Sequence, residues 1–196
     1  MTLDTSEKRL VRFFTACVLG NWTVVEGELT SGPVDSSWRE ALLQVHVFAG
    51  FPRLVQAFRI VNEIRPLPCA GAPEAPASQR SEAGQALFET IYGDLAPSVR
   101  RELSACDPAF AAWIAEHAYA RVLARPGLSP RLRELLAIGA LAALAQDRQL
   151  ASHTRGALRC GAGPEEPGQV LAALTDLAAA ETLAAAHGVV ARFAQA

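Results

Sequence analysis

Residues 125–166 read "RPGLSPRLRELLAIGALAALAQDRQLASHTRGALRCGAGPEE", and this stretch decides the fold. "RPGLSP" is a turn by its Pro and Gly residues. "RLRELLAIGALAALA" is apolar nearly all round, so it reads as a helix buried on most of its surface. "QDRQLASHTRGALRCG" starts polar, carries the single histidine His153, and closes on Gly161, as helices do. Why a histidine and three arginines follow so apolar a segment has two answers. His153 belongs to a site, or it is a core histidine with a satisfied partner.

Outward from this segment the pattern stays helical. No sustained alternation of β-branched and polar residues marks a strand. "DTSEKRLVRFFTACVLG" opens with Asp4 three residues before Glu7, a capping box. Its Leu10, Phe13, Phe14, Cys17 and Val18 share one helical face. "NWTVVEGEL" is a short helix stopped by "TSGP". "SSWREALLQVHVFAG" places Ser37 before Glu40 and ends on Gly50. "FPRLVQAFRIVNEI" then starts anew with Pro52 in its first turn, where a missing N–H costs little. Residues 66–82, "PLPCAGAPEAPASQRSE", form a linker by composition. After "EAGQALFETIYGDL" a turn is expected over 96–104. Asp107 and Pro108 then open "DPAFAAWIAEHAYARVLA". "GPEEPGQVLAALTDLAAA" holds Pro164 and Pro167 in its first turn, and an Ala-rich helix ends the chain.

The 196 residues, half of them hydrophobic, suffice for one ordinary domain or two small repeats. A net charge of -2 with both signs dispersed argues against nucleic acid and against an anionic membrane surface. Cys17, Cys69, Cys106 and Cys160 form no C-x-x-C pair and have no zinc-ligand spacing to a histidine, so neither metal nor cofactor is expected. The N-terminus lacks the order of a signal peptide, and "LLAIGALAALA" is too short to span a bilayer. The expectation is a cytoplasmic protein with reduced thiols.

The chain also echoes itself. "SEKRLVRFFTACVLG" reads like "SPRLRELLAIGALAA", and "SSWREALLQ" like "EEPGQVLAA". Two related helical units, about 5–65 and 128–196, follow from this echo. The expected organisation is an N-terminal half-repeat over 1–65, the linker over 66–82, and a domain over 83–196.

The quoted stretch resembles the carboxymuconolactone decarboxylase and alkylhydroperoxidase D superfamily. The resemblance rests on the turn from Arg125 to Leu128, the R-x-R-x-L of Arg131 to Leu135, and His153. It extends through the R-x-A-L-x-x-G of Arg155 to Gly161 and the pair Glu165, Glu166. Residues 83–170 carry it best. "WREALLQVHVFAGFPRLVQAFRIVNEI" is similar to the family's E-x-L-x-Q-x-x-x-Y-A-G-x-P segment, which normally follows the histidine helix. The resemblance implies an all-α, alkylhydroperoxidase D-like helical bundle with two degenerate repeats. It also implies homo-oligomers, trimers or dimers.

The chemistry departs from both branches of that superfamily. The redox branch uses E-x11-C-x2-C-x3-H. In that register stand Glu134, Gln146, Gln149 and His153, so amides replace both thiols and a thiol peroxidase is the weakest reading. Decarboxylation needs a cation for the carboxylate, donors for the developing enolate and an acid to return a proton. His153 is the acid/base candidate and Glu134 its partner. Arg133, Arg131, Arg155 and Gln149 are the candidates to bind a small carboxylated lactone or acid. The acidic residues that decarboxylases tend to carry at the positions of Arg121 and Gln149 are absent. The competing expectation is a non-catalytic oligomeric or binding protein. In it, Arg133 makes a buried structural pair, Glu134 simply bonds His153, and His46 is a satisfied core or interface histidine. Trp22, Trp38 and Trp113 are expected as core or interface anchors, and Cys160 as packed. His117 and Tyr119, two residues apart, point to different helix faces.

Overall fold

A computed structural model describes residues 2–69 and 74–193, and their regular structure is entirely helical. The all-α expectation holds. α1 (Thr5–Leu19) carries the capping box: the Glu7 amide donates to Asp4 Oδ1 at 2.8 Å, and the Asp4 amide donates to Glu7 Oε2 at 3.2 Å. Its Leu10, Phe13, Phe14, Cys17 and Val18 are all buried, on the face their spacing marked. α2 (Trp22–Thr30) follows, capped by Asn21.

α3 (Ser36–Ile64) holds the next two expected helices, which meet at a non-helical Gly50. Gly50 takes φ 77°, ψ 167°, which a residue with a Cβ rarely adopts. Pro52 follows directly, with no N–H to lose. The element also starts earlier than Ser37 and Glu40 suggested. Asp35 is the N-cap, and its carboxylate accepts from the Ser37 amide at 2.9 Å.

α4 (Ala77–Tyr92) begins inside the Pro/Ala-rich stretch, of which 70–73 lie outside the described residues. A single 3-10 turn, Gly93–Leu95, leads into α5 (Ala96–Cys106). The expectation of a turn over 96–104 is therefore corrected. Pro97 sits in the first turn, where Pro is tolerated, and Val99 and Leu103 lie on one face against a small core. α6 (Pro108–Trp113) runs on into a wider, π-helical segment, Ile114–Leu123. Then come α7 (Pro130–Ala143), α8 (Asp147–Arg159), α9 (Glu166–Ala172) and α10 (Ala180–Ala191). α9 keeps Pro167 in its first turn, while Pro164 lies before it.

α7 is the central rod. Every residue from Arg133 to Ala142 is buried, as its composition required. α1, α2, α3, α8, α9 and α10 share the main core with it, around Phe13, Phe14, Trp38, Leu136 and Ile138. Fully burying side chains of this kind contributes about 1.5–3 kcal/mol each. Leu87, Phe88, Ile91, Ala96, Tyr119 and Leu123 form a second, smaller core where α4 meets α5 and the π-helical segment.

Candidate functional site

α7 and α8 lie side by side, and that contact brings Glu134 and His153 together. Nδ1 of His153 stands 2.9 Å from Glu134 Oε2. Glu134 is 1% exposed at its side chain and His153 15%. The Glu134 carboxylate accepts from Nδ1–H, which fixes the tautomer and leaves Nε2 without a hydrogen-bond partner among the described residues. Burial pushes the His153 pKa down, but the Glu134 carboxylate outweighs it, and the net shift is upward. Phe48, from α3, meets the imidazole edge to face at 6.2 Å.

The pair fits because of Gly156, one turn after His153. An ideal Cβ there would lie 2.5 Å from Glu134 Oε2 and 2.8 Å from Ile91. Any side chain would displace the carboxylate or force α8 away from α4. Gly156, at the unspecified second position of R-x-A-L-x-x-G, is thus a packing requirement of the site itself.

Two tyrosines lie within the field of Glu134. Tyr119 donates from its hydroxyl to the Tyr92 hydroxyl at 3.0 Å. Burial raises both phenols above their ordinary pKa, and the field of Glu134 adds to it. Cys160 is half-buried and its thiol is raised to about 11, by burial first and Glu134 second. It is a protonated thiol at neutral pH and a poor nucleophile. The two tyrosines are 27 residues apart, and nothing local in the sequence paired them with Glu134. Only the packing of α4 on the π-helical segment does so.

The arginines take different positions. Arg133 is 1% exposed. It donates to Gln44 Oε1 at 3.2 Å, to Glu40 Oε2 at 3.3 Å and to the Arg125 carbonyl at 3.1 Å. Desolvation pulls its pKa down to about 10 despite Glu40. Its Nε is buried without a partner. Arg125 shares Glu40, at 2.8 Å and 3.1 Å. Arg131 bridges three helices: it donates to Glu7 Oε1 at 2.7 Å and to both oxygens of Glu166, one of them at 2.9 Å. Arg155 has its guanidinium over the Phe193 ring at 5.5 Å. It makes no ion pair among the described residues, and its positive field reaches Tyr92. Gln149 is exposed on the first turns of α8.

The other sequence candidates separate as follows. His117 and Tyr119 do face apart: Tyr119 packs inward on Phe88, and His117 meets His46. Trp38 is buried against Phe13, with ring centroids 4.9 Å apart, whereas Trp113 is 66% exposed. A cavity of about 730 Å³ lies between α4, α5 and α6, with Phe88 and Tyr119 among its walls. It touches the Glu134 cluster only through Tyr119.

A glutamate on the buried helix, a histidine on the next, and a close-packed glycine one turn later make up the observed site. Residues 108–192 match the model of the Carboxymuconolactone decarboxylase family, and that span contains all three. That segment of the chain is similar to the family. The chain is also similar to Peroxisomal protein 2 of Schizosaccharomyces pombe (strain 972 / ATCC 24843), with 32% identity over 132 residues. That alignment covers 65% of this chain and 62% of the relative, so the chain spans somewhat less than two thirds of the relative's length. The match supports a carboxymuconolactone decarboxylase-like protein. It does not by itself assign a reaction to this carboxymuconolactone decarboxylase-like chain, whose redox register holds Gln146 and Gln149.

Proposed function

We propose that Glu134 and His153 form an acid–base dyad that moves a proton on a small carboxylated lactone or acid, in a carboxy-lyase-like reaction. The observation that carries this reading is the 2.9 Å bond at Nδ1 together with the unpartnered Nε2. A buried carboxylate orients the ring, and the other nitrogen, without a partner among the described residues, remains to take or return a proton. Of the three candidate arginines, Arg155 is the one without an ion pair among the described residues, so it is assigned the substrate carboxylate. Tyr92 is assigned as a neutral hydrogen-bond donor toward developing negative charge, in keeping with its raised pKa.

The second reading is a family member that keeps the fold and binds without turnover. It is favoured by the occupation of Arg131 and Arg133 in ion pairs. NMR titration of the His153 ring, with and without a panel of carboxylated lactones and muconate-like acids, separates the two. A titrating ring that shifts with one acid supports the dyad, and His153→Ala should then abolish turnover of that acid. A ring silent from about pH 5 to 8 and indifferent to every acid supports the second reading.

A further inference from the structure

His46 and His117 belong to neither reading of the dyad. Nε2 of His46, on the first half of α3, stands 2.7 Å from Nε2 of His117, on the π-helical segment. At that separation only one of the two nitrogens can carry a hydrogen, and the other presents a lone pair. Nδ1 of His46 lies 2.5 Å from the Leu43 carbonyl oxygen, so Nδ1–H donates there and Nε2 is the lone-pair atom. A backbone carbonyl holding the far nitrogen is also how proteins fix the tautomer of a metal-bound imidazole. The rings are held in place as well. Phe51, just past the Gly50 bend, stacks on His46 at 4.8 Å and 14°, and it contacts His117 at 5.8 Å. Both imidazoles are half-buried, so solvent reaches the pair.

We propose that His46 and His117 bind a divalent transition-metal ion through their two Nε2 atoms. Imidazole suits the borderline ions Zn²⁺, Ni²⁺ and Cu²⁺. Metal–nitrogen bonds of about 2.0–2.1 Å at a tetrahedral angle set two nitrogens roughly 3.3 Å apart. The pair therefore opens by roughly half an ångström on binding, a small rotation of two half-exposed rings. No group of three or more His, Cys, Asp or Glu side chains converges among the described residues. The site accordingly has two protein ligands, and its remaining positions are open to water or to a ligand carboxylate. The π-helical winding contributes directly. Its i→i+5 bonds widen the backbone over Ile114–Leu123, the segment that carries His117. The sequence hid this site because its ligands are 71 residues apart and neither has metal-ligand neighbours.

The test uses the full chain, stripped of metal with a chelator, in a Cys69→Ser/Cys106→Ser background, because both thiols are exposed. Ni²⁺ is titrated by calorimetry, and Cu²⁺ is followed by electron paramagnetic resonance. The expected result is one equivalent bound, with nitrogen hyperfine structure from two imidazoles. His46→Ala and His117→Ala should each weaken binding at least tenfold with unchanged helical circular dichroism. His153→Ala should leave binding intact, which keeps this outcome separate from that of the dyad. Equal affinity in the parent and both variants overturns the proposal, as does loss in His153→Ala alone. So does a parent that binds neither ion at millimolar concentration, which would leave a shared proton as the whole of the contact.

Discussion

At the scale of single residues, Glu134 controls His153. With Glu134→Gln, burial is no longer opposed by a carboxylate, so the His153 pKa should fall below its ordinary value of about 6.5. Chemical shift against pH reads this directly. The sign for stability follows. Because the folded pKa is raised, the pair's contribution is complete below the ordinary histidine pKa. It is lost as pH rises through the folded value. Gly156 is the second lever. Gly156→Ala should move the Glu134 carboxylate off the ring, lower the His153 pKa toward that of Glu134→Gln, and cost about 1–3 kcal/mol from overpacking. Urea denaturation and the same titration check both effects. A Gly156→Ala protein with unchanged stability and titration would show that α8 and α4 have more room than the 2.5 Å approach allows.

At the scale of elements, ion pairs set how the helices sit. Arg133 ties α7 to Glu40 and Gln44 of α3, while Arg131 ties α7 to α1 and α9. Glu166 is fully buried, and its carboxylate also accepts from the Gly163 amide at 2.8 Å, holding the turn before α9. Removing one member of a buried pair leaves the other charge without its partner, at about 3–5 kcal/mol. Arg131→Met should destabilise by about 3 kcal/mol on that ground, whereas Arg59→Met, at an exposed pair on α3, should change stability by under about 1 kcal/mol. Equilibrium unfolding in urea compares the two. A small effect at Arg131 would mean that Glu166 takes up a proton or water once the arginine is gone.

At the scale of the whole molecule, the carboxylates decide acid stability. Arg131 holds Glu166 below the usual carboxylate range, and Arg12 does the same for Asp176. At Glu40 burial pushes upward, but Arg125 and Arg133 outweigh it. Depressed pKa values mean stability that is complete above about pH 4.5 and lost as pH falls through the folded values. The melting temperature should therefore drop steeply below about pH 4.5, and less steeply in Arg131→Met, as thermal circular dichroism would record. The surface carries its own expectation. Phe51, Val55, Phe110 and Trp113 are 61%, 69%, 46% and 66% exposed. Homo-oligomers, trimer or dimer, are our proposal for how large apolar side chains like these become covered. Trp113→Asp should then shift the sedimentation coefficient toward that of a monomer. No described helix is long and apolar enough to cross a membrane.

The buried character of α7, the capping box of α1, the His153 helix and the all-α class were legible in the sequence. Each depends on local periodicity or on a cap within a few residues, and such signals survive without neighbours. The Glu134–His153 contact was legible too, since the motif register of the resembled family set these two residues in one frame. A buried pair for Arg133 was among the expectations, but the partners of the arginines were not legible, because Glu40 lies 93 residues from Arg133 and Glu7 lies 124 residues from Arg131. The π-helical winding, the Tyr92–Tyr119 contact and the meeting of His46 with His117 also belong to the tertiary structure. They arise where separate helices press on one another. There, packing and desolvation outweigh the local preferences that a sequence displays.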